Sequence, residues 1–351
     1  MKRKFLWIGL VIVIIAVAIG FFLFGDREGE NKETVSDDKM QIGMSFDTFV
    51  VERWQRDRDV FVSTAKELGA EVNVQNANGD IEEQKKHIDY FIEKGVDAIV
   101  IIGIDSDSLR EKIKKAKDAG IVVVSYDRLI TNAGTDLCIT FDNGKVGSLM
   151  ASSLLQNGLY GGKVLMVGGA LTDNNVPMIE NRFREVMQES NVTILDSFHT
   201  DNWEADVAAE YIYANMDTVM KADAIMCGND NLATAVVRAL SEKRLAGDVL
   251  VVGQDADLEA CQRIVEGTQL MTVYKPVEKL AQRAAECTVQ LILEGQVTGE
   301  DVEIIADGTY TVPYVGITPI GVTKSNINEV IIESGFHLKE DVYLNVPDEM
   351  P

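Results

Sequence analysis

The sequence predicts two α/β lobes, each a parallel sheet flanked by helices, preceded by one N-terminal membrane-spanning helix. Three observations carry that prediction. From Met40 onward, short apolar runs alternate with amphipathic helical stretches. The alternation repeats more than ten times, too often for one compact open sheet. Ahead of it stands an uncharged run, Phe5 to Phe24.

That run, "FLWIGLVIVIIAVAIGFFLF", is 20 apolar residues, enough to cross a bilayer as a helix. Lys2-Arg3-Lys4 flank it and favour the cytoplasm, so the chain after Gly25 is expected outside the cell membrane. Cleavage after Ala16-Val17-Ala18 would leave an apolar new terminus, Ile19 to Phe24, and a lipoprotein would need a cysteine where the first is Cys138. Residues 1–25 therefore read as an uncleaved anchor or signal. Residues 26–39 are polar and without apolar periodicity, and read as a flexible tether.

The elements then come in order. "QIGMSF" precedes a helix from about Val51 to Leu68, and "EVNVQ" one from Ile81 to Lys94. "DAIVII" leads to Ser108–Ala119, with "IVVVS" after it. "LCITF" leads to a helix from Lys145, "KVLMVG" to Asn174–Glu189 and "VTILDSF" to Glu204–Val219. "ADAIMC" precedes Asn231–Ser241, "DVLVVG" precedes Asp257–Glu266, and "QLMTVY" precedes Val277–Leu293. Breaks between lobes are expected near Asp142-Asn143 and Tyr274-Pro276.

In open α/β sheets ligands bind outside the carboxyl ends of the strands. The residues just past each strand are therefore informative. Asp47 and Glu52-Arg53-Trp54 come after the first, and Tyr126-Asp127-Arg128 comes after "VVVS". Asp173-Asn174-Asn175 comes after "LMVGG"; His199 and Asp201-Asn202-Trp203 come after "ILDSF". Asn229-Asp230-Asn231, Asp255 and Lys275 end three more. Asp and Asn are ordinary turn and cap residues. Turn preference does not account for two Trp, two Arg and a Lys at the same places. Bland readings exist for single residues: caps for Asp173, Asn174 and Asn229, a surface i,i+4 pair for Arg53 and Asp57, hinge surface for Lys275.

The set fits a pyranose. Sugar hydroxyls both donate and accept, and suit carboxylates, amides and guanidinium forks; the C–H faces suit indole rings. At these positions the chain resembles the D-xylose-binding proteins of the type I periplasmic-binding family. The motifs are "ERWQRDRDVF", "VQNANGD", "SYDRLI", "ITFDNGKVG", "DNN", "GNDNLA", "VVGQDADL", "GTQLMTVYKP" and "SGFH", spread over about Lys39 to Leu338. The resemblance implies ligand contacts from Arg53, Trp54, Asp127, Arg128, Asp173, Asn175, Trp203, Asn229, Asp255 and Lys275. It also implies two Rossmann-like lobes joined by a three-segment hinge, about 40–142 plus 276–315 and 143–275 plus 318–345. A D-xylose or related pentose ligand, no cofactor and no metal are implied with it. Family members are usually secreted or lipid-anchored and feed an ABC importer. A receptor kept on a membrane helix instead fits a sensor that stays beside a transmembrane sensor histidine kinase. An ABC permease is the alternative partner.

Other functional classes are disfavoured. The three histidines, His87, His199 and His337, show no metal-ligand spacing, and no P-loop, HExxH or GxSxG is present. His87, mid-helix in "QKKHIDY", reads as a surface residue. A DNA-binding repressor would need a basic N-terminal helix-turn-helix, where this chain has an apolar run and a net charge of -23. The four cysteines are scattered, which leaves buried thiols or one bridged pair open.

Overall fold

The computed structural model describes residues 39–50 and 53–351. The predicted membrane span, the tether up to Asp38, and residues 51 and 52 lie outside the described residues. Among the described residues, no helix is long and apolar enough to cross a membrane.

The first sheet is built from β1 (Met40–Phe46), β2 (Ala70–Asn76), β3 (Ala98–Ile101), β4 (Val122–Tyr126) and β5 (Leu137–Phe141), connected by α1 (Arg53–Glu67), α2 (Ile81–Lys94) and α3 (Arg110–Asp118). The chain then enters a second sheet. Its parts are α4 (Asn143–Gln156), β6 (Lys163–Gly168), α5 (Asn175–Glu189), β7 (Thr193–His199), a 3-10 turn at Asp201–Trp203, α6 (Ala205–Ala214), α7 (Met216–Val219), β8 (Ala224–Cys227), α8 (Asp230–Glu242), β9 (Leu250–Gln254), α9 (Leu258–Glu266) and β10 (Met271–Tyr274). It returns through α10 (Val277–Glu294), β11 (Val302–Ala306) and β12 (Thr311–Ile317), and crosses again into β13 (Ile320–Thr323). A π-helical turn at Asn328–Ile332 and α11 (Lys339–Val342) close the chain.

The two sheets run β11-β12-β5-β4-β3-β1-β2 and β13-β10-β9-β8-β6-β7. All pairs are parallel except the edge pairs β11–β12 and β10–β13. The chain passes between the sheets three times, after Phe141, after Tyr274 and after Ile317. The first and third passages are tied together where Asp142 N donates to Ile317 O at 3.1 Å.

Burial follows from helices covering both faces of each sheet. Strands β3 and β5 are buried along their whole length. Alternate residues of β6 go to opposite cores: Val164 and Met166 pack with α4 and α5, Leu165 and Val167 with α6 and α8. Helix boundaries carry their own signals. Asp80 caps α2 by accepting from the N–H of Glu82 and Glu83, and Gly95 ends it in the left-handed conformation at φ 66.

Two sequence readings are revised, and the cysteine alternatives resolve to the buried thiols. His87 is not a surface residue: it is buried on α2, its Nδ1 3.1 Å from Ser45 Oγ, and burial lowers its pKa. None of the four cysteines is bridged, and all are buried thiols. The segment after Leu293 adds β11, β12 and β13, which the apolar pattern does not reveal. Periodicity is weak there because these strands are partly exposed: β11 and β13 are sheet edges, and β12, between β11 and β5, contains Pro313. The Asp307-Gly308 turn holds the β11–β12 hairpin. Asp307 accepts from four backbone N–H groups: Ala133 at 2.9 Å, Gly134 at 2.7 Å, Thr309 at 3.0 Å and Tyr310 at 2.7 Å. Burial alone would raise this carboxyl, but the four donors hold it below its ordinary range.

Candidate functional site

Arg53 opens α1 and is itself buried. Its Nη2 and Nε donate to Asp57 at 2.9 and 3.2 Å, and its Nη1 lies 2.8 Å from Asp127 Oδ2. The i,i+4 pair read from the sequence as a surface feature exists, but both partners are in the interior. Tyr126 donates its hydroxyl to Asp57 Oδ1 from below. One guanidinium is thus clamped by two carboxylates, its face 4.3 Å from the centre of the Trp54 ring.

Arg128 does the same work across the cleft. Its Nη1 lies 2.8 Å from Asp47 Oδ2 and donates to Gly103 O at 3.0 Å, while its Nε lies 2.7 Å from Asp173 Oδ2. Asp47 follows β1, in the first lobe, and Asp173 follows β6, in the second. Asn175, at the start of α5, donates to Asp127 O at 3.0 Å and Oδ1 at 3.2 Å, and accepts from Asn143 Nδ2 at 2.8 Å. Beyond β9 and β10, Lys275 Nζ sits 3.2 Å from Asp255 Oδ1.

Two predicted site residues are also caps. Asp173 Oδ1 accepts from Asn175 N at 2.9 Å while its other oxygen faces Arg128. Asn229 accepts from Leu232 N at 2.9 Å at the start of α8. Capping and lining the site are compatible, because one side chain has two polar ends.

All ten residues proposed from the sequence line one cavity, and Gln254 lines it with them. Sequence reasoning does not single out Gln254, although it stands immediately before Asp255 at the end of β9. Its Nε2 donates to Gly228 O at 2.5 Å, leaving Oε1 without a hydrogen bond. Trp54 comes from the first lobe. Trp203 comes from the second, where Gly169 and Gly228 make room: a Cβ on Gly169 would stand 2.4 Å from the indole.

The electrostatics select a class of ligand. Three cations, Arg53, Arg128 and Lys275, meet five carboxylates, Asp47, Asp57, Asp127, Asp173 and Asp255. At the cavity wall the three cations are balanced by three carboxylates, Asp127, Asp173 and Asp255, which suits a neutral polyhydroxylated ligand. Burial raises Asp47, Asp57 and Asp173 against the pull of their arginines. Burial also acts on Asp127, but Arg53, Lys275 and Arg128 outweigh it and hold that carboxyl below its ordinary range.

The walls retain hydrogen-bonding capacity. Trp54 Nε1, Trp203 Nε1 and Gln254 Oε1 are buried with no partner. Asp127 Oδ2, Asp255 Oδ1 and Arg128 Nε touch their ion-pair partners without an aligned hydrogen bond. The backbone is strained at the same place: Asp127, Trp203 and Asp255 hold φ of 64, 61 and 99.

Comparison with known proteins agrees with this geometry. A family model described as a periplasmic binding protein domain matches residues 42–296. A D-xylose-binding periplasmic protein of Haemophilus influenzae is 42% identical over 313 residues, 87% of this chain and 92% of its own. Its namesake in Escherichia coli is 40% identical over 87% of this chain and 93% of its own. Among solved structures, an ABC transporter solute binding protein from Clostridium phytofermentans with bound β-D-glucose is 25% identical, with a TM-score of 0.77 over 86% of this chain and 99% of its own.

Proposed function

This chain belongs to the periplasmic binding protein family, and from that premise we propose that it is an extracytoplasmic receptor for D-xylose. It closes two lobes around the sugar, is held in the membrane by Phe5–Phe24, and signals to a transmembrane sensor histidine kinase. The observation that carries the sugar reading is the convergence of Trp54, Trp203, three buried cations and three buried carboxylates on one cavity, with Asp47 and Asp57 holding Arg128 and Arg53 from behind it.

Each group has a part in the proposed site. The two indoles cover the C–H faces of the ring. Asp127 and Asp255 accept from hydroxyls. Arg53, Arg128 and Lys275 neutralise them and donate to ring or hydroxyl oxygens. Asn175 and Asn229 fix orientation. A site that bonds each hydroxyl discriminates against analogues that lack one. The kinase reading is supported by the apolar run at the N-terminus, which would keep the receptor beside a membrane partner. The importer reading is favoured by a different observation: the solved relative named above is an ABC transporter solute binding protein.

Titration of the full chain in detergent with D-xylose, read by calorimetry and tryptophan fluorescence, tests the receptor. Saturable heat with indole quenching is expected, and no heat with any pentose overturns it. Recovery of a kinase with the full chain from detergent extracts supports sensing; recovery of a permease complex alone assigns the importer role.

A further inference from the structure

Asp255 and Ala256 are consecutive non-glycine residues in the left-handed region, at φ 99 and 57. Such a turn persists only where its surroundings over-determine it. Its own lobe supplies part of the restraint. Asp255 N donates to Val273 O at 2.9 Å, and Ala256 N to Thr272 Oγ1 at 3.2 Å. Ala256 O also accepts from Cys261 Sγ at 3.6 Å, and a further contact comes from far along the chain. His337 Nε2 lies 2.8 Å from Ala256 O, and since a carbonyl only accepts, the imidazole donates.

The preceding residue anchors this contact. The Phe336 ring meets Tyr274, the neighbour of Lys275, edge-on at 4.8 Å. Its carbonyl accepts from Arg56 Nη2 at 2.9 Å, and the Arg56 guanidinium lies 4.1 Å from its ring centre. Arg56 also pairs with Glu278 on α10 at 2.8 Å. Arg56 stands one helical turn from Arg53. The dipeptide Phe336-His337 therefore touches the residues beside two second-lobe charges of the cavity, Asp255 and Lys275, and α1 of the first lobe holds it there.

We propose that His337 is a positioning residue: by donating to Ala256 O it fixes the Asp255 carboxylate and so sets ligand affinity from outside the cavity. The functional consequence rests on the sugar-receptor reading, whereas the restraint on the turn does not. Packing alone would be served by leucine at this position; the hydrogen bond requires a donor.

The test uses the full chain in detergent, with two readouts on His337→Leu, His337→Ala and His337→Gln. Hydrogen exchange of the peptide spanning residues 253–258, without ligand, should speed up about tenfold in the Leu and Ala variants, as for loss of one hydrogen bond, while strands elsewhere in both sheets keep their protection. The Kd for D-xylose should rise by a similar factor. The Gln variant, whose amide can reach the same carbonyl, should return both to near wild type. Unchanged exchange in the Leu variant overturns the proposal, as does acceleration spread over the whole second lobe, or a Gln variant no better than Leu. If the wild type binds no D-xylose, the receptor reading fails and the exchange measurement still decides the role of His337.

Discussion

Asp255 combines backbone strain, an ion pair and a place on the cavity wall. Its replacement by alanine should therefore cost binding more than folding. Asp255→Ala is expected to raise the Kd about 100-fold, as for loss of a charged hydrogen-bonding group, with the melting temperature within a few degrees of wild type. Calorimetry and thermal unfolding check it, and an unfolded variant would make Asp255 structural. Asp307 is the opposite case, not among the cavity's lining residues and bound to four backbone N–H groups. Its folded carboxyl lies below the ordinary range, so its stabilisation is present above that range and is lost as pH falls through the depressed value. Asp47, Asp57 and Asp173 are raised and act in the reverse sense: their contribution is present at low pH and is lost as pH rises through their values. Asp307→Asn isolates one contribution. It should lower stability by about 1–3 kcal/mol at neutral pH, and the gap should narrow toward about pH 3. Urea titrations at the two pH values measure it.

Among the packed helices and loops, two close approaches depend on a missing side chain. Helices α4 and α5 pack so tightly at Gly147 that a Cβ there would sit 2.2 Å from Ile179 O. The obstacle is backbone and cannot rotate away. Gly147→Ala should destabilise the protein by about 1–3 kcal/mol or more, seen as a lower urea midpoint. At Gly169 the obstacle is the Trp203 indole. Gly169→Ala should push the ring off its seat and weaken D-xylose binding about tenfold, with loss of the fluorescence change on ligand addition, because flat stacking tolerates little displacement.

At the scale of the two lobes, bonds between residues that do not themselves line the cavity bridge one lobe to the other. In the loop after β3, Ser106 N and Oγ donate to Thr172 O at 3.0 and 2.9 Å, and Ser106 Oγ accepts from Asn174 N at 3.1 Å. Thr172 and Asn174 belong to the loop after β6 in the other lobe. These bonds favour the closed arrangement whatever the ligand, so they contribute to affinity through the closing equilibrium. Ser106→Ala removes two of them and should raise the Kd about fivefold, mostly through faster dissociation. Stopped-flow fluorescence separates the rates, and an unchanged dissociation rate would show that the bridge carries no closing energy.

Much of this architecture is legible in the residues alone because local rules and global fold agree. Buried parallel strands read as unbroken apolar runs, as in "DAIVII" and "IVVVS", and their carboxyl ends must face a ligand crevice in an open α/β sheet. That places Asp127, Asp173, Asn229, Asp255 and Lys275 before any coordinates, and indole scarcity points to Trp54 and Trp203. Strands β11 to β13 are less legible, since partial exposure blurs their period. The layer architecture and the residues at strand ends come from the order of amino acids, because they rest on periodicities of two and 3.6 residues. Folding in three dimensions was needed to establish that Arg53 and Asp57 are a buried pair, that His87 faces the core, that Gln254 joins the cavity, and that Phe336 and His337 return to grip the turn beside Asp255. Those facts depend on contacts between segments up to 280 residues apart, and no local pattern records which distant partner a side chain will meet.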